Sequence, residues 1–239
     1  MNIQLFIPCF VDQLYPQTAF NMIKVLEKTG CTVTYNSNQT CCGQAAFNAG
    51  FWDDSKSVCN KFIKDFEGID YIVGPSASCV GFVRNYYAKL FDNSSVHNEV
   101  KDLSKRIYEF SEFMVKVLQV FNVGAKLQAK ATYHDSCAGL RECKIKQEPR
   151  KLLANVKGLE LVELNDVETC CGFGGTFAVK FEAISIAMAE QKVENALATN
   201  AEYVISTDLS CLMHLDGYIK RKGYPLKTLH IADVLAGGW

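Results

Sequence analysis

The sequence of 239 residues lacks several features that would place it in a special class of protein. It has no apolar run near the roughly 20 residues that span a membrane. Its N-terminus, MNIQLFIPCF, has neither the positive region nor the long apolar region of a secretory signal. The formal net charge is -1, so there is no basic excess of the kind that binds nucleic acid. These absences predict a cytoplasmic globular protein with no membrane span and no nucleic-acid partner.

Sequence motifs for nucleotide cofactors and for structural zinc are also missing. There is no flavin or nicotinamide fingerprint, and CCGFGGTF lacks the lysine–serine ending of a phosphate-binding loop. No CxxC occurs, although structural zinc sites are usually built from that spacing.

The anomaly is the 11 cysteines. In a reducing compartment such a count is more typical of metal binding or thiol chemistry than of disulfides.

Most of the cysteines repeat between the two halves of the chain. Each half contains a CCG stretch, NQTCCGQAAFNAG or VETCCGFGGTFAVK, with one cysteine upstream and one downstream. The upstream cysteine precedes the vicinal pair by 32 residues in the first half and 33 in the second. The downstream cysteine follows the pair by 37 and 40 residues. The repeated cysteines are Cys9, Cys41, Cys42, Cys79, Cys137, Cys170, Cys171 and Cys211. The repetition predicts two units related by internal duplication, with Cys31, Cys59 and Cys143 as packing residues.

Strand-like and helix-like segments alternate along both halves. The short strand-like runs are IQLFIP, TVTY and DYIVGP in the first half, and KATYH, LELVEL and EYVIST in the second. Amphipathic segments with helical periodicity separate them. The pattern predicts an α/β fold of two similar Rossmann-like halves with parallel sheets. We expect the first half at residues 1–92, a helical connector at 93–125 and the second half at 126–239.

Each repeated cysteine follows the carboxyl end of a predicted strand. Ligands of open parallel sheets bind at this edge. We therefore expect four thiols to converge at one end of each half.

Two histidines have no counterpart in the first half. His134 lies three residues before Cys137, and His214 lies three after Cys211 on the same face of a predicted helix. Each is expected either to donate to a backbone carbonyl from a buried position or to make the second half chemically different, and His214 is a candidate additional metal ligand. The lysines and glutamates of FEAISIAMAEQKVENALATN are predicted to form a solvated helix face.

Four converging thiols allow three chemistries. An iron–sulfur cluster needs several thiolates in a dry cavity, and adjacent cysteines can ligate different irons while the glycine lets the backbone come close. A zinc ion can use the same residues but lacks its usual loops here. Dithiol redox chemistry can use the vicinal pairs, although a disulfide between neighbours closes a strained ring. The residues favour the cluster and leave the other two open.

Five motifs, in this order along the whole chain, carry a resemblance to a known family: CCGQAAFNAG, HDSCAGLRE, CCGFGGTFAVK, SCLMHLDG and TLHIADVL. They resemble the cysteine-rich CCG domain family of iron–sulfur proteins, which includes the B subunit of heterodisulfide reductase. The similarity is closest to the lactate-utilisation branch, the LutA-like (YkgE) proteins. The resemblance implies one iron–sulfur cluster in each half. The implied ligands are Cys9, Cys41, Cys42 and Cys79 for the first cluster and Cys137, Cys170, Cys171 and Cys211 for the second.

The resemblance also implies a function. The chain would be an electron-transfer subunit of a multi-component L-lactate (2-hydroxy acid) oxidation system, with a LutB-like iron–sulfur protein and a LutC-like protein as partners. It would belong to an oxidoreductase complex rather than form a complete enzyme, and no catalytic residue is assigned.

The sequence departs from the full family pattern, which ends each half with CxxC. Ser76 and Asp208 stand where the first of these cysteines would be. Four thiolates per half fit an ordinary [4Fe–4S] cluster. The alternatives are a thiol/disulfide (heterodisulfide-type) reductase subunit and an interaction module with zinc at one site.

Overall fold

The computed structural model describes residues 1–92 and 94–239. Along residues 1–117 the elements are β1 (Asn2–Leu5), α1 (Cys9–Leu14), α2 (Pro16–Lys28), β2 (Thr32–Tyr35), α3 (Gln44–Ala49), α4 (Trp52–Asp65), β3 (Tyr71–Gly74), α5 (Ala77–Leu90), α6 (His97–Arg106), β4 (Ile107–Glu109), α7 (Phe110–Glu112) and a π-helical turn (Phe113–Val117). The rest of the chain forms β5 (Lys126–Tyr133), a second π-helical turn (Gly139–Cys143), α8 (Gln147–Leu153), β6 (Lys157–Val162), α9 (Thr176–Lys180), α10 (Glu182–Leu197), β7 (Tyr203–Ser206), α11 (Leu209–Lys222), β8 (Lys227–His230) and α12 (Ile231–Leu235).

The strands form two parallel sheets with the same topology. Their orders are β2-β1-β3-β4 and β6-β5-β7-β8. The register is also repeated, since the last residue of β1, Leu5, pairs with Val73, and the last residue of β5, Tyr133, pairs with Ile205. The predicted fold class, α/β with two similar halves and parallel sheets, is confirmed.

Residues 93–125, expected to be a helical connector, also contribute a strand to the first sheet. After α6 the chain forms β4, which pairs in parallel with β3. Both fourth strands end in a residue that caps the following helix. The side chain of Glu109 accepts hydrogen bonds from the amides of Ser111 and Glu112, and His230 accepts one from the amide of Ala232. The boundaries at 92 and 125 stay a prediction, and Asn93 lies outside the described residues.

One apolar core is shared by the two halves. It contains residues of β1 and β3 from the first sheet together with residues of β5 and β7 from the second. Side-chain hydrogen bonds also join the halves, because Asp233 of α12 accepts from Thr18 and Asn21 of α2. Packing therefore fixes the carboxyl ends of the two sheets relative to each other. None of the helices formed by residues 1–92 and 94–239 is long and apolar enough to cross a membrane.

Candidate metal centre

Thiols from both halves line one cavity of about 350 Å³. The cavity lies where the carboxyl ends of the two sheets face each other. The cysteines in its wall are Cys9, Cys41, Cys42, Cys79, Cys137, Cys170, Cys171 and Cys211. The sequence predicted two separate convergences of four thiols, whereas the structure brings both sets to the same cavity. All 11 cysteines are free thiols, and Cys31, Cys59 and Cys143 are buried outside the lining.

Within each half, neighbouring thiols of the set shift each other's pKa. The order of neighbours is Cys9, Cys41, Cys42, Cys79 in the first half and Cys137, Cys170, Cys171, Cys211 in the second. Cys42, Cys171 and Cys211 are buried, whereas Cys9 is exposed. Each set therefore extends from the rim of the cavity into the protein.

The first cysteine of each vicinal pair has a pKa lowered by its neighbours. Hydrogen bonds from Cys42 and then Cys9 lower the pKa of Cys41 to about 2. The same bond raises the pKa of Cys42 well above its usual value. The equivalent neighbours, Cys137 foremost, lower the pKa of Cys170 to about 2. Each set thus favours the anionic form at one sulfur, and thiols that bind a metal lose their protons.

The glycine after each pair lies close to the helix behind it. Gly43 and Gly172 have φ of +89° and +91°. A Cβ at Gly172 would lie 2.6 Å from the carbonyl oxygen of Ser185 in α10, and one at Gly43 would lie 3.2 Å from that of Ser55 in α4. Each glycine amide donates to the first sulfur of its pair, at 3.3 Å for Gly43 and 3.4 Å for Gly172. The sequence predicted that these glycines let the backbone come close to a cluster, which stays a prediction, and the structure also shows a close approach to α4 and α10.

His214, the predicted additional ligand, lies beside Ser185. Its Nε2 is 3.1 Å from the Ser185 hydroxyl and 3.3 Å from the Ser185 carbonyl oxygen. Its ring also lines a separate cavity of about 450 Å³ with residues of α10 and α11. A role for His214 as a ligand stays a prediction.

Asp208 occupies the position of the missing CxxC cysteine in the second half. Its buried carboxylate accepts hydrogen bonds from the amide of Ser78 at 2.9 Å, the hydroxyl of Ser78 at 3.2 Å and the hydroxyl of Ser210 at 2.9 Å. Its backbone forms an isolated antiparallel bridge with Ser76, the equivalent residue of the first half. The carboxylate therefore ties the two halves together beside the cavity.

His134 is fully buried just after β5. Neither of its ring nitrogens has a hydrogen-bond partner among the described residues, so it does not donate to a backbone carbonyl. A ring nitrogen lies within 4.8 Å of the sulfurs of both Cys171 and Cys211. Burial, with a contribution from the nearby Lys192, lowers the pKa of His134 to about 3. The ring is therefore neutral and carries one N–H and one lone pair.

Lys192 departs from the prediction of a solvated helix face, because it is only 1% exposed. Its Nζ donates to the carbonyl oxygens of Asp166 at 3.0 Å and Val167 at 3.3 Å. These carbonyls belong to the loop that leads to the second vicinal pair. The prediction was wrong at this position because the carbonyls offset the cost of burying the ammonium.

The family model "CCG: Cysteine-rich domain" matches residues 3–84 and 131–216, one match in each half. This chain belongs to the cysteine-rich CCG domain family. The two CCG matches contain β2, β3, β6 and β7, the carboxyl ends of β1 and β5, and all eight thiols of the cavity. The fourth strands, β4 and β8, lie outside both CCG matches.

Curated proteins similar to this CCG chain are similar over nearly their whole length. Lactate utilization protein A of Geobacillus sp. (strain WCH70) is 43% identical, covering 98% of this chain and 99% of that protein. The protein of the same name from Halalkalibacterium halodurans is 44% identical, covering 98% of this chain and 96% of that protein. Among solved structures, a hypothetical protein from Helicobacter pylori has a TM-score of 0.60 at 12% identity, covering 100% of this chain and 49% of that one, which supports the fold alone.

Proposed function

We propose that this CCG protein binds two iron–sulfur clusters, one on each set of four thiols, and transfers electrons in a lactate-utilisation system. The observation that carries the proposal is the convergence of eight free thiols on one cavity. The similarity to proteins named Lactate utilization protein A supports the process in which the clusters act.

The donor set fits a cluster. Four neighbouring sulfurs in each half match the four thiolates that a [4Fe–4S] cluster takes. The two sulfurs of a vicinal pair can serve different irons of one cluster. The amides of Gly43 and Gly172 already donate to sulfur, and such hydrogen bonds are part of how proteins tune these clusters. Phe10, Phe173 and Leu209 add apolar wall to the same cavity, which limits the access of water.

A cluster of this kind supplies one-electron transfer. Oxidation of lactate to pyruvate releases two electrons, so the chain fits a relay among several components. We infer a LutB-like iron–sulfur protein and a LutC-like protein as its partners. The free state of all 11 cysteines suits a reducing compartment, and we place the complex in the cytoplasm.

Metal analysis of anaerobically purified protein tests the proposal. We expect iron and sulfide in near-equal amounts and an electron paramagnetic resonance signal on reduction. Cys42→Ser should lose the iron of the first half and Cys171→Ser that of the second. Cys143→Ser is the matched control, because its buried thiol lies outside the cavity and contacts the carbonyl of Ala77, so it should keep both.

Two results would count against the proposal. Protein that holds zinc and takes up no iron on anaerobic reconstitution would be a zinc-stabilised module. Iron-loaded protein that cleaves a disulfide substrate would instead be a subunit of the heterodisulfide reductase type.

A further inference from the structure

The second half carries an imidazole at a position where the first half carries an aromatic hydrocarbon ring. His134 and Phe6 each follow the last residue of the equivalent strands β5 and β1. Their amides make the same contact, from His134 to the carbonyl of Ile205 at 2.8 Å and from Phe6 to that of Val73 at 3.0 Å. Both side chains are fully buried. The two positions are therefore structurally equivalent and chemically different.

A second buried position is also apolar in the first half and polar in the second. Ser55 and Ser185 are equivalent, because each hydroxyl donates to the carbonyl of the glycine after the vicinal pair. Phe62 lies seven residues after Ser55, and Lys192 lies seven residues after Ser185. An ammonium group thus replaces a second aromatic ring.

The two differing positions are neighbours in the first half. In the first half the rings of Phe6 and Phe62 pack edge to face, with their centroids 4.8 Å apart. In the second half the residues at the equivalent positions flank the second vicinal pair: a His134 nitrogen is within 4.8 Å of the Cys171 sulfur, and Lys192 donates to carbonyls of the loop before the pair. An apolar pair beside the first set of thiols therefore corresponds to a polar, cationic pair beside the second.

The imidazole lies against the sulfurs of the second half, and the ammonium lies against the loop that leads to the second vicinal pair. A ring nitrogen of His134 is within 4.8 Å of the sulfurs of Cys171 and Cys211 and has no other partner in the described part of the chain. Lys192 is held by the two carbonyls of the loop before the vicinal pair. Reduction makes a cluster more negative. An N–H donor and a nearby positive charge both stabilise that state in a medium of low dielectric constant.

We propose that His134 and Lys192 make the cluster of the second half more easily reduced than that of the first, with the imidazole N–H donating to a sulfur of the site. The inference rests on the proposed function. One electron passes from the reduced first cluster to the oxidised second cluster, and no bond forms or breaks. At equilibrium an electron that enters the protein therefore resides on the second half.

Potentiometric titration of the iron-loaded protein, followed by electron paramagnetic resonance, tests the inference. Cys42→Ser and Cys171→Ser assign each signal to a half. We expect His134→Phe and Lys192→Met each to lower the potential of the second cluster, by a tenfold or larger change in its reduction equilibrium, or ~59 mV for one electron. His134→Gln, which keeps an N–H donor, should stay near the wild-type potential.

His214→Phe is the matched control. It introduces the residue found at the equivalent position of the first half, Phe82, and the nitrogen that it removes is paired with Ser185. We expect no shift of either potential.

The outcomes separate the inference from the proposed function. Absence of iron from the wild-type protein would refute the proposed function. Full iron with an unchanged potential in His134→Phe and Lys192→Met would refute only the inference. If His134→Phe fails to bind the second cluster, the potentials of Lys192→Met and His134→Gln still test the inference. Strong coupling to ¹⁵N-labelled histidine that is lost in His134→Gln would show direct ligation to iron and overturn the hydrogen-bond assignment.

Discussion

Replacement of Gly172 by alanine should destabilise the protein more than the same replacement of Gly50. Their φ values are +91° and +89°, so the left-handed backbone costs alanine about 1–2 kcal/mol at both positions. At Gly50 an added Cβ meets nothing within 4 Å, whereas at Gly172 it would lie 2.6 Å from the Ser185 carbonyl oxygen and 2.8 Å from the Met188 Cβ. Overpacking of this kind adds about 1–3 kcal/mol. We expect losses of about 2–5 kcal/mol at Gly172 and about 1–2 kcal/mol at Gly50.

Gly43→Ala provides an intermediate case. Its φ is +89°, and an added Cβ would lie 3.1 Å from the Cys59 sulfur and 3.2 Å from the Ser55 carbonyl oxygen. These contacts are tight but can relax by a few tenths of an ångström, so the loss should fall between those of Gly50→Ala and Gly172→Ala. The order of the three losses is the prediction.

Urea unfolding of the reduced, iron-free proteins measures the three losses without a contribution from a bound cofactor. The entropy that alanine removes from the unfolded chain is common to all three variants. An unchanged m-value would show that the midpoints report stability. Equal losses at Gly172 and Gly50 would refute the reasoning, because backbone conformation alone would then explain the glycine and the approach to α10 would be irrelevant.

Two further predictions concern buried charges in the iron-free protein. Burial raises the pKa of Glu109 from 4.5 to about 8, so the folded state binds the extra proton between these values and the free energy of unfolding falls as the pH rises through them. Glu109→Gln should remove this fall in the free energy of unfolding, which urea unfolding at pH 5 and pH 8 measures. The same fall in the wild type and in Glu109→Gln would contradict the prediction. Arg150 contacts Asp135 at 2.7 Å and Glu163 at 2.6 Å, and Asp135 is buried, so Arg150→Met should cost about 3–5 kcal/mol. Adding Asp135→Asn should recover much of that loss in thermal unfolding, and no recovery would mean that the lost packing of the Arg150 side chain dominates.

The sequence was sufficient for the topology of each half because the relevant patterns are local. TVTY and EYVIST are short β-branched and aromatic runs bounded by helical segments, and both form strands, β2 and β7. The parallel arrangement and the carboxyl-end position of the cysteines follow from the βαβ rules, whereas the order of the strands was not predicted. The two fourth strands, IYE and KTLH, were missed; IYE has only three residues, and KTLH lacks the β-branched and aromatic run of TVTY.

The meeting of the two thiol sets could not be predicted from local patterns. It depends on contacts between residues far apart in the chain, such as the bonds from Ser78 to Asp208. The burial of Lys192 depends on loop carbonyls 25 and 26 residues earlier. A comparison of the halves from their equivalent serines aligns Lys192 with Phe62, just as counting three residues back from Cys137 and Cys9 aligns His134 with Phe6. The differences between equivalent positions of the two halves therefore mark Lys192 and His134, whereas the periodicity of a single helix does not.

The bridge between Ser76 and Asp208 joins equivalent positions of the two halves. In a homodimer of identical halves, a two-fold axis would place the same residue on both sides of such a contact. Two buried aspartates would then repel each other, and two serines would provide no carboxylate to accept from Ser78. One chain that carries both halves is free of this symmetry. It can place a hydrogen-bond acceptor, Asp208, in one half and the donor, Ser78, in the other. It can also give each half cavity-lining residues that the other half lacks.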